Sequence, residues 1–430
     1  MTSLSHPDSD HAAQAAVEWA ARTAYGRLVA YLSSRWLDVA AVEDALSEAF
    51  VAALRTWPMS GVPRKPEAWL ATAARRRLID GARQRAVRAA HATDLETLLA
   101  PSDPTAMPKS FPDERLALLF VCAHPAIDPG VRTPLMLQTV LGLDAVRIAR
   151  AFLLPAPTMG QRLVRAKTKI REARIRFSLP ETHELPGRLE SVLEAIYAAY
   201  GTGWDESESS QPQEGGLVQE SVWLARALHE LLPAEPETAG LLALLLYCDA
   251  RQPGRHDAHG RFIPLDDQDP RTWKRLQIDE AEGILAEAAR RQRPGRFQWL
   301  AALQSVHSQR AYGRPVDWDA IVALYEALNA HSPTIGTQVG YVAARERRHG
   351  PRQAWECLER LPADATASYQ PYWVVRAHLL DQLGRPAEGA VARSRALALT
   401  SNPSTRAFLT GSSGSDLTPA PRAKDASSRP

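Results

Sequence analysis

Apolar residues recur at a helical spacing between positions 159 and 173. They lie four, three, four and three residues apart, at Met159, Leu163, Ala166, Ile170 and Ala173. An α-helix places such positions on one face, so the segment predicts a helix with one buried stripe. A shorter helix is predicted over 144–153, and Pro155 and Pro157 mark the turn between the two, since proline suits a first helical turn. Together these features predict a helix-turn-helix.

The second helix of this pair is basic on its other faces. Its cations are Arg162, Arg165, Lys167, Lys169, Arg171, Arg174 and Arg176. In a helix-turn-helix, the first residues of the second helix reach base edges in the major groove, and later cations hold phosphates. We therefore expect DNA contacts from six residues: Thr158, Gln161, Arg162, Arg165, Lys167 and Lys169. The alternative is a basic helical hairpin that binds no nucleic acid.

An acidic amphipathic helix is predicted upstream. Its apolar positions are Val42, Leu46, Ala49, Phe50, Ala53 and Trp57, and its opposite face carries Glu43, Asp44, Ser47 and Glu48. Asp44 and Glu48 are four residues apart, a spacing at which like charges mildly destabilise a helix. This face is either an ordinary solvated surface or a docking surface for a basic partner.

A basic helix follows a break at Pro58–Pro63. Residues 64–88 hold eight Lys or Arg and two acids. Such a helix can lie along phosphates, where counterion release favours binding, although a solvated basic face is the alternative. Trp69 stands at the start of this helix and is expected to pack in the core.

Charge and composition divide the chain into unlike halves. Residues 1–180 contain 24 Lys and Arg against 17 Asp and Glu, whereas the remainder contains 27 against 32. The basic N-terminal part suggests a half that faces nucleic acid, followed by a C-terminal half with a different role.

Strand signals are nearly absent, so the predicted fold class is all-α. The three cysteines lie far apart and predict neither a disulfide framework nor a metal site.

Proline-rich and polar stretches divide the chain further. We expect a helical domain over 13–88, a linker over 89–112, a second helical domain over 113–177, a third helical region over 186–409 and a disordered tail over 410–430. The N-terminus lacks the pattern of a signal peptide, and the longest apolar run, Leu241–Tyr247, is too short to span a membrane. A cytoplasmic protein without membrane contact is therefore expected.

Residues 20–177 resemble the sigma-70 transcription initiation factors, specifically their extracytoplasmic-function group. The segment from Asp38 to Phe50 resembles region 2.2, and 68–85 resembles regions 2.3–2.4. Ile148–Ala149, Pro155, Thr158 and the segment 162–170 fall in the register of region 4. The resemblance implies binding to core RNA polymerase, at its clamp helices and flap, and to the −10 and −35 promoter elements.

The resemblance also implies roles for individual residues. Docking on the polymerase is implied for Asp38, Glu43, Asp44, Ser47 and Glu48. Contact with the −10 element is implied for Trp69, Arg75, Arg76, Arg77, Asp80, Arg83 and Arg85. Contact with the −35 element is implied for the six residues of the helix-turn-helix that face the groove and the phosphates.

The C-terminal region shows a weak repeat. Gly350 and Gly384 are 34 residues apart, which is the tetratricopeptide period. The region resembles the tetratricopeptide-like extension of one extracytoplasmic-function subgroup, which implies a built-in regulator in contact with the sigma domains. A polar stretch at 249–269 includes His256, Asp257 and His259, which form a weak metal-binding pattern. We favour a loop whose Asp and Arg residues pair with each other and cap helices. A metal site and a contact surface are the alternatives.

The function expected from the sequence is a promoter-specificity factor without catalytic activity or cofactor. The alternative is a free-standing helix-turn-helix regulator with a helical sensing domain, which would bind DNA without polymerase. The acidic face at 43–48 disfavours that alternative, because it would repel DNA. A hydrolase or transferase is disfavoured since the sequence contains no phosphate-binding glycine loop, nucleophile elbow or metal spacing.

Overall fold

The computed structural model describes residues 7–89, 113–152, 154–181, 183–206, 216–400 and 402–411. The regular elements in these ranges are α-helices and short 3₁₀ helices, without a β-strand, although His256 and Phe262 form an isolated antiparallel bridge. The predicted all-α class is confirmed. Most of the predicted linker and of the C-terminal tail lies outside the described residues.

In the described residues up to Glu172, the N-terminal part contains eight helices. They are α1 (Pro7–Thr23), α2 (Tyr25–Trp36), α3 (Val39–Ser60), α4 (Pro66–Ala89), α5 (Arg115–Cys122), α6 (Pro129–Thr139), α7 (Ala145–Ala151) and α8 (Ala156–Glu172). Side chains cap several of them: Asp38 accepts from the backbone of Ala41 at the start of α3, and Asp144 caps α7. These short polar residues satisfy backbone N–H groups that a helix start leaves unpaired.

The helices before and after the linker pack into one compact unit. Helix α2 lies against α5 and α6, and α3 lies against α8. The approach of α2 to the end of α6 depends on Gly26, where an added Cβ would lie 1.8 Å from the carbonyl oxygen of Val140. The two segments that the sequence predicts as separate domains therefore share an interface.

The first compact unit extends beyond the predicted boundary at 186. It comprises Met1–Trp204 and Pro212–Pro233, and so includes most of α9 (Leu185–Glu206) and all of α10 (Leu217–Leu231). Arg115 of α5 is 4% exposed, forms ion pairs with Asp113 and Glu220, and stacks on the ring of Trp223. Helix α10 thus provides one of the two carboxylates that neutralise a buried arginine.

The second compact unit is built around an almost entirely buried helix. Helix α11 (Pro236–Ala250) packs against α12 (Arg275–Arg290) and α13 (Arg296–Ser308), and the segment 238–247 is buried throughout. This explains the continuous apolar run in the sequence, since a helix covered on all sides needs no polar face. The loop between α11 and α12 contains three short 3₁₀ helices.

Further helices complete this unit. They are α14 (Trp318–His331), α15 (Ile335–His349), α16 (Pro351–Glu359), α17 (Ala363–Thr366), α18 (Gln370–Gln382), α19 (Pro386–Ala398) and α20 (Pro403–Gly411). Consecutive helices pack against each other, among them α14 with α15, α15 with α16 and α18 with α19. Gly350 separates α15 from α16 at φ +84°, and Gly384 separates α18 from α19 at φ +73°. Both glycines of the 34-residue spacing therefore lie between consecutive helices at positive φ, and each following helix begins with proline. The two turns differ in length, because Gly350 is itself the N-cap of α16, whereas Arg385 is the N-cap of α19.

No helix in the described part of the chain is both long and apolar enough to cross a membrane.

Candidate functional site

Helix α3 presents the acidic residues singled out in the sequence. Asp44, Ser47 and Glu48 are exposed, whereas Glu43 is buried and Asp38 is half-buried. The predicted apolar positions from Val42 to Trp57 are buried, except Phe50, which is half-buried.

Two exposed apolar residues extend this face, and the sequence reasoning missed them. Val51 is 47% exposed and Leu54 is 45% exposed. Val51 lies three residues after Glu48, which is one helical turn, and Leu54 lies three residues after Val51. Helical spacing from Glu48 could have identified both. The exposed face of α3 is therefore acidic at one end and apolar at the other.

Helix α4 lies against α3 and carries the first set of arginines. Arg77 forms an exposed ion pair with Glu48 at 3.1 Å, which joins the two predicted surfaces. Arg76 is exposed and Arg75 is half-buried.

The remaining predicted residues of α4 lie at its start and near its end. Trp69 is half-buried and packs edge-to-face on Trp57, with ring centres 5.5 Å apart. Asp80 and Arg83 are both exposed and form an ion pair at 3.9 Å. The side chain of Arg85 lies outside the described residues.

Helices α7 and α8 occupy the segment for which the sequence predicts a helix-turn-helix. Four members of the apolar stripe are buried, at Met159, Leu163, Ala166 and Ile170. The fifth, Ala173, is exposed because α8 ends at Glu172, and Ile175 is buried after the helix ends. The backbone N–H of Leu154 donates to Ala149, and Pro157 lies in the first turn of α8.

The predicted DNA-contacting residues of α8 separate into two groups. Gln161, Arg162, Arg165 and Lys169 are exposed, and Thr158 is half-buried. The three cations of this group line a cleft of about 600 Å³ beside the start of α6. They are available to a polyanion without rearrangement of the helix.

Lys167 belongs to the second group, because it faces the protein. Its Nζ lies 2.5 Å from Oε2 of Glu43 and 3.0 Å from Oε1 of Gln138. The side chains of Lys167 and Glu43 are only 12% and 11% exposed. A predicted DNA contact and a predicted polymerase contact are therefore bound to each other.

A second, weaker pair lies beside this one. Arg171 of α8 is 3.7 Å from Asp38, the N-cap of α3. Burial raises the pKa of Glu43, while Lys167 opposes that shift. Burial and the neighbouring carboxylate of Glu43 also raise the pKa of Tyr25. The contact between α3 and α8 thus encloses a buried, charge-paired group.

The polar loop of the second unit is held by its own ion pairs. Asp257 accepts hydrogen bonds from the backbone of His259 and Arg261 and pairs with the Arg261 side chain at 2.6 Å. These bonds lower the pKa of Asp257 to about 2. Asp269 caps the next turn and pairs with Arg271. Within the described ranges, no group of three His, Cys, Asp or Glu side chains is placed to hold a metal.

Comparison with known proteins agrees with the geometry of the first unit. Residues 21–88, which span α2 to α4, match sigma-70 region 2. The chain therefore contains a sigma-70 region 2 domain. Proteins with this region are transcription factors that bind RNA polymerase and promoter DNA, so a sigma-factor-like role in binding polymerase follows.

The comparisons extend beyond region 2. Residues 188–289 match a family of unknown function, DUF6596. An uncharacterized protein of Rhizobium meliloti is 36% identical over 393 residues, which are 90% of this chain and 91% of that relative. No solved structure matches the chain.

Proposed function

We propose that this chain is an extracytoplasmic-function sigma factor that directs core RNA polymerase to its own set of promoters. The observation that carries the proposal is the match of residues 21–88 to sigma-70 region 2. Within this segment, α3 presents an acidic face and the neighbouring α4 is basic. An acidic face repels DNA and suits a basic protein surface, whereas arginines suit phosphates.

In this proposal, α3 binds the clamp helices of the polymerase. Asp44, Ser47 and Glu48 are exposed for that purpose, and Val51 and Leu54 add apolar area beside them. Helix α4 binds the −10 element through Arg75, Arg76, Arg77, Arg83 and Arg85, with Trp69 and Asp80 beside them.

Helix α8 binds the −35 element in the major groove. Gln161, Arg162, Arg165 and Lys169 are exposed along one side of that helix. The buried stripe on the other side fixes its orientation on α6 and α7. Base contacts come from its N-terminal turns and phosphate contacts from the later cations.

The pairing of Lys167 with Glu43 gives this sigma factor a closed state. Neither side chain can bind DNA or polymerase while the two are joined and buried. Engagement of both partners therefore requires α8 to leave α3, which breaks the Lys167–Glu43 and Arg171–Asp38 pairs. The long segment between Ala89 and Asp113 provides enough chain for that separation.

The C-terminal region regulates this opening. The positive-φ glycines at 350 and 384, which lie 34 residues apart between consecutive helices, support a tetratricopeptide-like arrangement of the terminal helices. Helix α10 pairs with the buried Arg115 through Glu220 inside the first unit, so the chain that follows the proposed region 4 begins within the folded sigma part.

In vitro run-off transcription tests the proposal. Full-length protein and purified core polymerase are incubated with DNA from upstream of its own gene. Transcripts that require the protein support a sigma factor. Charge reversal at Glu48 (Glu48→Lys) should abolish them, whereas Glu287→Lys, at an exposed position of the second unit, should not. Footprinted DNA without polymerase, and no transcript, would instead indicate a free-standing regulator.

A further inference from the structure

A cluster of cationic and aromatic side chains in the second unit surrounds the buried Arg251 and Trp273, with His307 and Arg310 half-buried beside them. Arg251, at the end of α11, is 7% exposed. Its guanidinium carbon lies 6.0 Å from the ring centre of Trp273, and that of Arg310 lies 5.4 Å from the same ring. His307 lies within the electrostatic range of both arginines, which together with burial lower its pKa to about 4. These four residues are called the Arg251 cluster below.

The two arginines of the cluster bind neutral groups. In the described part of the chain, Arg251 has no carboxylate within 4.0 Å; its Nη2 donates to Oε1 of Gln304 at 2.5 Å and weakly to Sγ of Cys248. Arg310 donates to three backbone carbonyls, those of Leu265, Asp266 and Gln268. A guanidinium stays protonated in proteins, so the cluster carries two positive charges that no direct ion pair balances.

Asp249, Asp266 and Asp267 form no ion pair with Arg251 or Arg310 in the described part of the chain. Asp249 is engaged by Lys274 at 3.0 Å, and Asp266 is paired with Arg347. Asp267 is exposed and acts on the cluster only through space. Burial of unbalanced charge is strongly unfavourable, and buried charges in proteins are normally paired.

The cluster also contains polar atoms with no hydrogen-bond partner among the described residues. They are Nη1 of Arg251, Nε1 of Trp273 and Nδ1 of His307, all inaccessible to solvent. Arg251 and Trp273 are each more than nine-tenths buried. Two are donors, and the imidazole becomes a third when it takes up a proton beside a negative charge. Three nitrogen donors and two fixed positive charges match an oxyanion.

We propose that the Arg251 cluster binds a small oxyanion, the carboxylate or phosphate group of a metabolite-sized ligand. The depth of Arg251 excludes a macromolecular partner, because a protein or nucleic acid surface cannot reach a side chain that is 7% exposed. Arginine supplies the charge, and the indole N–H of Trp273 orients the anion. The site lies in the loop that joins α11 to α12 and in α13, and the ligand stabilises this loop.

Isothermal titration of the full chain tests this proposal, with inorganic phosphate and acetate as separate probes at constant ionic strength. Trp273→Phe keeps the packing of the ring and removes one donor, so it should weaken binding about tenfold. Arg251→Gln should weaken it by about a hundredfold or more, since it removes a charged partner. Arg271→Gln is the matched control, because Arg271 lies in the same loop but is 89% exposed and pairs with Asp269. A preference for phosphate or acetate identifies the ligand group.

Stability measurements provide a second readout that does not depend on tight binding. In anion-free buffer, Arg251→Gln should cost little stability, because it also removes an unbalanced buried charge. Added probe should then stabilise the wild type and the Arg271→Gln variant but not Arg251→Gln. No saturable binding of either probe, or equal affinity in Arg251→Gln and Arg271→Gln, would overturn the proposal. Neither result affects the proposed sigma function, which run-off transcription tests separately.

Discussion

Nζ of Lys167 lies 2.5 Å from Oε2 of Glu43, and this pair joins the second helix of the helix-turn-helix to the acidic helix of region 2. The two residues are 124 positions apart in sequence. Both are nearly buried, so the pair lies inside an interface and is weakly screened by salt. The charge of each side chain is balanced only while the interface is closed.

Removal of one partner should therefore destabilise the closed unit. Lys167→Met leaves the Glu43 carboxylate buried and should cost about 3 kcal/mol at neutral pH. Lys169→Met is the matched control, because Lys169 is exposed on the same helix. Hydrogen exchange of the amides of α3 and α8 measures the free energy of opening in both variants. Equal protection in the two variants would show that the pair does not hold the interface.

The cost of Lys167→Met should depend on pH in a defined direction. The pKa of Glu43 is already raised by burial, and loss of Lys167 raises it further. An acid whose folded-state pKa is raised contributes stability below its unfolded pKa of about 4.5 and loses that contribution as pH rises through the folded value. The difference between wild type and variant should thus shrink as pH falls toward 5. A pH-independent difference would contradict this assignment.

Salt dependence tests the exposed cations of α8. Arg165→Gln should make the slope of log affinity against log salt for −35 DNA less steep by about 1, which is the contribution of one phosphate contact. The same is expected for Lys169→Gln. Arg352→Gln changes an exposed arginine of the second unit and should leave the slope unchanged. Fluorescence anisotropy over a series of salt concentrations measures the slopes.

The sequence predicted the local elements well because their signals are local. The periodicity at 159–170 and the turn prolines Pro155 and Pro157 depend on residues within a few turns of one helix. The sequence did not predict that Lys167 would face the protein. Lys167 lies next to the apolar stripe of α8, where a side chain can point either toward solvent or toward the protein. The partner that decides the matter, Glu43, is brought close only by packing of α8 on α3.

Two glycines illustrate the same distinction. Gly160 is inside α8 with open space around an added Cβ, so Gly160→Ala should stabilise the helix by about 1 kcal/mol. Gly26 is inside α2, but an added Cβ would lie 1.8 Å from the backbone of Val140. Gly26→Ala should therefore destabilise the unit by about 1–3 kcal/mol through overpacking. Thermal unfolding of both variants should give shifts of opposite sign.

His307 predicts a pH dependence in the second unit. Its folded-state pKa is lowered to about 4 from 6.5, so the unfolded chain binds an additional proton between these values. Stability should fall by about 3 kcal/mol as pH drops from 6.5 to 4, relative to His307→Gln, which lacks this titration. Unfolding in urea at several pH values measures the difference between the two proteins. An unchanged difference across this range would rule out a buried, neutral imidazole.

The boundary of the first unit gives a further prediction. A fragment that ends at 186 stops at the domain boundary predicted from the sequence. It lacks Glu220 and Trp223, which both contact the buried Arg115. A fragment that ends at 233 retains them together with α9 and α10. Because a buried arginine that loses a carboxylate is costly, we expect fragment 1–233 to unfold cooperatively and fragment 1–186 to be less stable by about 3 kcal/mol or more.

Glu220→Gln in the longer fragment separates the charge from the loss of chain. This variant keeps α10 in place and removes one carboxylate, so its stability should fall between those of the two fragments. Glu230→Gln is a suitable control on the same helix, because Glu230 is exposed. If fragment 1–186 is as stable as fragment 1–233, α10 belongs to the regulatory region and not to the folding unit of the sigma part. In that event, transcription by the shorter fragment would report directly on control by everything that follows Pro186.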